Sequence, residues 1–454
     1  MSASTVDADL GAPSTILYRA VWRWHFYAGL LVLPFLVLLA TTGGLYLYKD
    51  EINGLLYGRY LHVTPSDRAA LPPSQLVERA LSAQPGEAVG YIPPAAPDRS
   101  AQVRVKDASG EKWLVFLAPS DGAVLGTLSD GGAAGTPFML LLRKIHSLDY
   151  FGRGPNLLIE IVAGWAIILV VTGFYLWWPR GRQGGVFTIR REPGRRVFWR
   201  DLHAVTGACA GLFILFLAVT GLPWSGFWGA QLNTFADRAG LGYPPQFWND
   251  VPKSDAHMGH AMTQTSWSLE QVPMPKSTPG GNSPMGLDKA VATFDGLGIH
   301  KGYAIDLPSG PEGVYSASVF PDKVAGERIV HLDQYSGKVL FDGGFAELGA
   351  IGKAIEWGIS VHMGQEFGLL NQLLMTAACV SIVLMAVAAM VMWWRRRPKG
   401  SLGAPRLPTD ARIGRGVLVI AAAFGIVFPL TGLSILAMLA IDWLLPRSLR
   451  QRLA

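Results

Sequence analysis

Charge is scarce in this chain. Of its 454 residues only 16% are Asp, Glu, Lys or Arg, against about 25% in soluble domains. Half of the residues are hydrophobic, and the mean hydropathy is +0.28. An ordinary soluble protein is excluded, and a membrane protein is implied. Cysteine is nearly absent. Cys209 and Cys379 both fall inside long apolar runs, so they read as packed thiols, with no Cys-x-x-Cys pair and no disulfide framework. The sequence also lacks a nucleotide-binding glycine fingerprint, a P-loop, a hydrolase nucleophile elbow and a His-Glu-x-x-His pair.

What is present is a set of five apolar runs, 24–48, 156–178, 204–228, 369–394 and 413–441. Each meets the roughly 20-residue requirement for a helix that crosses hydrocarbon. The first resembles a signal peptide in having Arg19 and Arg23 before it. It is too long for a typical signal core and ends in no small-x-small cleavage site, so it reads as a retained helix. Arg180, Arg182, Arg190, Arg191, Arg195, Arg196 and Arg200 lie in the loop 179–203. Arg395, Arg396, Arg397, Lys399, Arg406 and Arg412 lie in the loop 395–412, with Arg415 just beyond it. Short loops this basic stay in the cytoplasm. Orientation accounts for these arginines, and no nucleic-acid partner is needed. The N-terminal tail, 1–23, is then cytoplasmic. The long segments 49–155 and 229–368 lie outside, as does the tail 442–454.

An internal repeat organises the chain. Trp22-Arg23-Trp24-His25 opens the first run, and Trp199-Arg200-Asp201-Leu202-His203 opens the third. His25 stands 17 residues before Thr42-Gly43, and His203 stands 17 before Thr220-Gly221. His146 precedes Trp177-Trp178 by 31 residues, as His362 precedes Trp393-Trp394. Each unit has two spans, so both copies run in the same direction, and a tandem parallel repeat about an axis along the membrane normal is expected.

The outer segments are alike. Ser74–Leu81 reads as an amphipathic helix, followed by strands at Ala101–Val105 and Trp113–Leu117, a turn at Pro119–Gly122, and Ala123–Gly126. Leu287–Ala292, Arg328–Asp333, the turn Tyr335-Ser336-Gly337 and Lys338–Phe341 repeat that order. Helix followed by a small antiparallel sheet is the expected fold of each. The second outer segment is 38 residues longer. Most of the excess falls in 243–285, whose Pro, Gly, Ser and Met content reads as a loop with little core of its own.

A helix and strands ending in Asp333-Gln334-Tyr335-Ser336-Gly337-Lys338-Val339 resemble the PepSY domain. Two such segments between spans, with the histidine elements above, resemble the PepSY-associated transmembrane family. The first copy departs from the pattern, having Leu117-Ala118-Pro119 where the second has Leu332-Asp333-Gln334. The resemblance implies a bacterial inner-membrane α-helical bundle carrying two small α+β PepSY-like extracytoplasmic domains. It further implies membership of a group that includes iron-regulated proteins, some of which reduce ferric siderophores using haem b. The partners implied are the lipid bilayer, a ferric chelate and an electron donor.

Nine histidines occur, and four occupy matched positions of the repeat. Ionisable groups at membrane depth default to function, and neutral imidazole is a common axial ligand of haem iron. Partners on one iron must share a level. His25 pairs with His203 at the cytoplasmic ends of their helices, and His146 with His362 at the outer ends, giving two haem b sites. Gly29, Gly164, Gly207 and Gly211 serve either the approach of a flat ring or ordinary close packing of helices. The cluster His257-Met258-Gly259-His260-Ala261-Met262 has donors that suit copper, with His257, His260, Met258 and Met262 as ligands. His62, His300 and His331 read as surface or strand residues. The rival readings are a haem-free accessory or transport protein whose outer domains bind a partner, and copper handling.

Overall fold

The structure is a computed structural model that describes residues 13–179, 186–190, 194–243, 252–279, 283–398, 403, 419–420 and 422–444. Arg180, Arg182, Arg191, Lys399, Arg406, Arg412 and Arg415 of the basic loops, and the first residues of the fifth apolar run, lie outside the described residues. In chain order the helices are α1 (Pro13–Tyr46), α2 (Lys49–Leu61), α3 (Pro73–Ala83), α4 (Pro137–His146), α5 (Arg153–Trp177), α6 (Arg196–Gly221), α7 (Trp228–Arg238), α8 (Leu287–Gly296), α9 (Ala350–His362), α10 (Leu369–Arg396) and α11 (Pro429–Leu444). The strands are β1 (Glu87–Ile92), β2 (Ala101–Lys106), β3 (Lys112–Leu117), β4 (Val124–Ser129), β5 (Lys253–His257), β6 (Pro273–Pro275), β7 (Ala304–Asp306), β8 (Val314–Val319), β9 (Arg328–Asp333) and β10 (Val339–Gly344). A single helical turn, Met258–Ala261, follows β5. The chain divides into two compact units. One comprises 1–44, 145–230 and 373–454, and the other 45–144 and 231–372.

The first unit is helical. Four helices are long and apolar enough to cross a membrane, over Ile16–Tyr46, Gly154–Trp177, Arg196–Trp224 and Leu369–Arg396. The helices α1 and α6 start well before the apolar runs that announce them, because nothing in Ser14–Arg23 or Val197–Leu202 breaks a helix. Pro13 is tolerated as the first residue, where its missing N–H has no partner to lose. The fifth run is not one helix. Residues 422–427 are helical, the helix breaks at Phe428, and α11 then spans 16 residues from Pro429. Pro429 has no N–H for the carbonyl four residues back, which accounts for the break.

The unit's core includes Ala28, Val32, Trp165, Ala166, Ile168, Ala210, Ile214 and Ile382. Small residues let its helices close. A Cβ on Gly164 would lie 2.1 Å from Thr431 Oγ1, and one on Gly211 would lie 3.1 Å from the Phe174 ring. Gly29 has only an ordinary contact with Leu169, at 3.8 Å. Gly164 and Gly211 therefore sit at close helix contacts. Glu160, the one acid in the second run, is buried. Its Oε2 accepts the Trp228 N–H at 2.9 Å, which caps the orphan amide at the start of α7.

The second unit carries one eight-stranded antiparallel sheet, in the order β10-β9-β8-β7-β1-β2-β3-β4. The expectation of two separate small domains is therefore refined. Each half is a helix followed by four strands, and the halves join edge to edge where β1 pairs with β7, Gly90 opposite Asp306 and Tyr91 opposite Ile305. Edge pairing satisfies two rows of backbone groups that separate domains would leave open. One face of the sheet is covered by α3 and α8, with Leu76, Ala80, Val103, Val105, Phe294, Ile305, Val330 and Leu332 in a common core. The two helices meet where Ser74 donates its N–H (2.8 Å) and hydroxyl (2.7 Å) to the Asp288 carboxylate.

The other face is covered as well. Tyr60 of α2 stacks on Phe116 of β3 at 5.9 Å. Met258, Met262 and Leu269 pack with Ile329, Phe341 and Leu348. The described part of 243–285 thus has a core, contrary to its reading as a loop. Met258, Met262, Met274 and Leu269 bury the second face of the second half. Arg104 of β2 is buried between Asp130, at 3.5 Å, and Asp306, at 3.4 Å. This ion cluster crosses the seam between the halves.

Candidate functional site

His25 lies on α1 and His203 on α6, about three and two turns inside their helices. They were expected at the helix ends. Their ring centres are 6.3 Å apart, with the planes inclined at 73°. The two imidazoles expected to share a level therefore lie side by side, ring to ring, at nearly a right angle.

The tautomer of each follows from its partner. His25 Nδ1 lies 2.9 Å from Thr172 Oγ1 on α5. That hydroxyl already donates to the Ile168 carbonyl at 2.7 Å, which is the usual back-bond of a helical threonine. Its only proton is therefore committed, so the oxygen accepts and Nδ1 carries the hydrogen. His203 Nδ1 lies 3.1 Å from the Met385 carbonyl of α10, which can only accept. Both imidazoles therefore keep their lone pair on Nε2. An imidazole so anchored through Nδ1 could bind a metal through Nε2.

His146 has the same arrangement. It ends α4, and its Nδ1 lies 2.9 Å from Thr42 Oγ1, whose proton goes to the Leu38 carbonyl at 2.8 Å. Burial holds the His146 imidazole down to about 4, so it is neutral at physiological pH. Both threonines are followed by glycine for a steric reason. A Cβ on Gly173 would lie 3.2 Å from His25 Cε1, and a Cβ on Gly43 would lie 3.2 Å from His146 Cε1. His25 and the Thr42 anchor of His146 are 17 residues apart on α1, about 26 Å along the helix. The fourth histidine, His362, ends α9 in the second unit. Gly207, the remaining glycine of the sequence reading, meets Met385 Sδ at 3.3 Å, beside the carbonyl that anchors His203.

Asp201 was not foreseen in any role, and Arg190 and Arg200 only as part of the basic loop. The Asp201 side chain is fully buried two residues before His203, and it accepts from Arg190 Nε at 2.7 Å and Arg200 Nη2 at 2.6 Å. Around this end of the helices Arg395 lies over Trp199, Arg396 over Trp22 and Phe26, and Arg397 over Trp394. The signal in the sequence was the alternation of Trp and Arg at each run's basic end.

The copper reading loses its geometry. Met258 and Met262 are buried in the apolar cluster with Leu269 and Phe341. His257 and His260 are exposed, and His257 Nδ1 lies 2.7 Å from the Gln271 carbonyl. The thioethers are there to fill a core, so the four side chains are not presented together. Among the described residues no group of three or more His, Cys, Asp or Glu is arranged to hold a metal ion. His331 is a buried strand residue with Nδ1 at 2.8 Å from Ser316 Oγ, and His62 sits 3.5 Å from Asp98 at the surface.

No curated protein matches the chain. The family model of the PepSY-associated TM region matches residues 22–396, a stretch that runs from the tryptophan before His25 to the arginines that close α10. With four helices able to cross a membrane and most of its length matched, the chain belongs to the PepSY-associated TM family.

Proposed function

We propose that the chain is a haem protein of the bacterial inner membrane that carries electrons outward to reduce a ferric chelate such as a ferric siderophore. The observation that carries this reading is the adjacent pair His25 and His203. Their ring centres are 6.3 Å apart, and the bonds to Thr172 and Met385 engage Nδ1 of each. The residues fit haem b, which His25 and His203 would hold through their Nε2 atoms. The sequence equivalence of His146 and His362 extends the proposal to a second haem. Bound there, haem supplies one-electron redox chemistry.

The protein's own residues do the rest. Thr172 and the Met385 carbonyl fix the tautomer and direction of the inner pair. Thr42 does the same for His146. Gly173 and Gly43 give the imidazoles room, and the apolar core around Trp165 and Ile214 keeps water away. The basic loops orient the inner site toward a cytoplasmic electron donor, with α11 and the residues before it as a fifth span. The second unit, read as two joined PepSY-like domains, lies outside and meets the chelate. Reduction loosens such a chelate because hard oxygen ligands hold Fe(II) less firmly than Fe(III).

Purified protein should show a Soret band that yields haem b as its pyridine haemochrome. After reduction under anoxia it should be reoxidised by a ferric hydroxamate, with Fe(II) appearing in a ferrous-specific chelator. Protein that folds and binds lipid without any Soret band would instead be the haem-free accessory or transport protein.

A further inference from the structure

The second unit gathers buried acidic side chains around one turn. Glu327, just before β9, and Glu356 of α9 are each 6% exposed, and Glu270 is half-buried beside them. They surround the turn Ser266-Trp267-Ser268. The Trp267 N–H donates to Glu356 Oε1 at 2.6 Å. The Ser266 hydroxyl bonds Glu327. Asn233 of α7 donates its Nδ2 to the Trp267 carbonyl at 2.5 Å. Ser268 Oγ lies against Gly352, where a Cβ would be 2.6 Å away. Gly352 is one turn before Glu356 on the same face of α9.

Two further oxygens of this group have no hydrogen-bond partner, Asn233 Oδ1 and Ser268 Oγ. Their residues are 1% and 0% exposed. Among the described residues no Lys or Arg forms an ion pair with Glu327 or Glu356. Burial and then the Glu356 carboxylate push Glu327 well up. Burial pushes Glu356 up against the bond from the Trp267 N–H, with the Glu270 carboxylate adding to the rise, and burial pushes Glu270 up to about 7, against the pull of Arg143. Two neighbouring buried carboxylates, with an amide oxygen and a hydroxyl left unpartnered on residues at the same turn, leave this interior short of positive charge. A proton shared by the two acids is one way to meet the shortage, and a bound cation is the other.

We propose that Glu327, Glu356, Asn233 Oδ1 and Ser268 Oγ bind a divalent cation of the hard, oxygen-seeking calcium or magnesium class. The site does not depend on haem. It ties α7, the 266–270 turn and the start of β9 to α9, and α9 is the helix that ends in His362, so the cation fixes the element that presents this histidine.

The test uses full-length protein in detergent, stripped with EDTA and then exposed to Ca2+ or Mg2+. Metal retained after gel filtration and thermal unfolding are both measured. Wild type should retain the ion and melt at a temperature that rises saturably with its concentration. Glu327→Gln and Glu356→Gln should lower affinity about tenfold or more. In EDTA the same variants should melt at or above wild type, because like-charge repulsion is relieved, and the order should reverse when the cation is added. Any of three results overturns the proposal. In the first, wild type retains no metal and does not respond to either ion. In the second, the Gln variants respond as wild type does. In the third, melting rises on acidification with no cation effect, the mark of a shared proton.

Discussion

Thr172→Val tests how the inner histidine is held. The change keeps the volume and removes one oxygen. The Ile168 carbonyl tolerates the loss, because within the helix it still accepts a backbone N–H. The His25 Nδ1–H loses its acceptor at 2.9 Å and is left with the Leu169 carbonyl as its backbone partner. Weakening the bond of a buried donor in this way costs about 1–2 kcal/mol. A similar figure follows from metal sites, where loss of the group behind a ligating histidine weakens binding about 10- to 100-fold, which is about 1.4–2.7 kcal/mol. The variant should therefore release its inner haem to an apo-globin acceptor about 10- to 100-fold faster than wild type. Its reduction potential should also shift, because the imidazole loses basicity. Thr42→Val should do the same to the outer haem and leave the inner one alone. If Thr172→Val folds, retains haem as firmly as wild type and keeps its potential, the tautomer argument fails.

Other expectations concern the second unit and the orientation. His331 is held down to about 3 by burial, against about 6.5 in the unfolded chain. Its stabilising contribution is full above about pH 6.5 and falls as the pH drops toward 3, so at pH 5 wild type should lose about 2 kcal/mol that His331→Gln does not, as read by thermal melts at pH 7.5 and pH 5. Arg104→Met leaves the Asp130 and Asp306 carboxylates without their buried cation, and denaturant unfolding should show a loss of about 3 kcal/mol. Equal stability would mean that the seam does not depend on the ion cluster. A cysteine placed at Ser120 should react with an impermeant maleimide from the periplasmic side, and labelling only from the cytoplasm would reverse the orientation.

The apolar runs were legible because length and hydropathy alone decide whether a helix can cross a membrane. The pairing of His25 with His203 was legible because the repeat sets them at equal distances from Thr42-Gly43 and Thr220-Gly221. The role of those threonines was not, because a threonine in an apolar helix looks like filler, and the histidines bonded to Thr42 and Thr172 are 104 and 147 residues away in sequence. The sheet seam was hidden for a similar reason. β7 has three residues, too few to show a period, and burial along β1 does not alternate. The Pro- and Gly-rich composition of 243–285 concealed Met258, Met262 and Leu269, which pack only when β9 and β10 are in place. Glu327 and Glu356 are unremarkable in sequence, since burial alone makes them unusual.

The central claim is that His25 and His203 share one haem. Haem content and reduced-minus-oxidised spectra of His25→Ala, His203→Ala and the double variant test it most directly. Two ligands of one iron act as a unit, so their losses are not additive. Each single variant and the double variant should lose the same haem, about half of the total, and leave the spectrum of the other unchanged. If His25→Ala and His203→Ala remove different haems, or if the haem lost with His25 is the one lost with His146, the adjacent pair does not bind a common iron and the account is wrong.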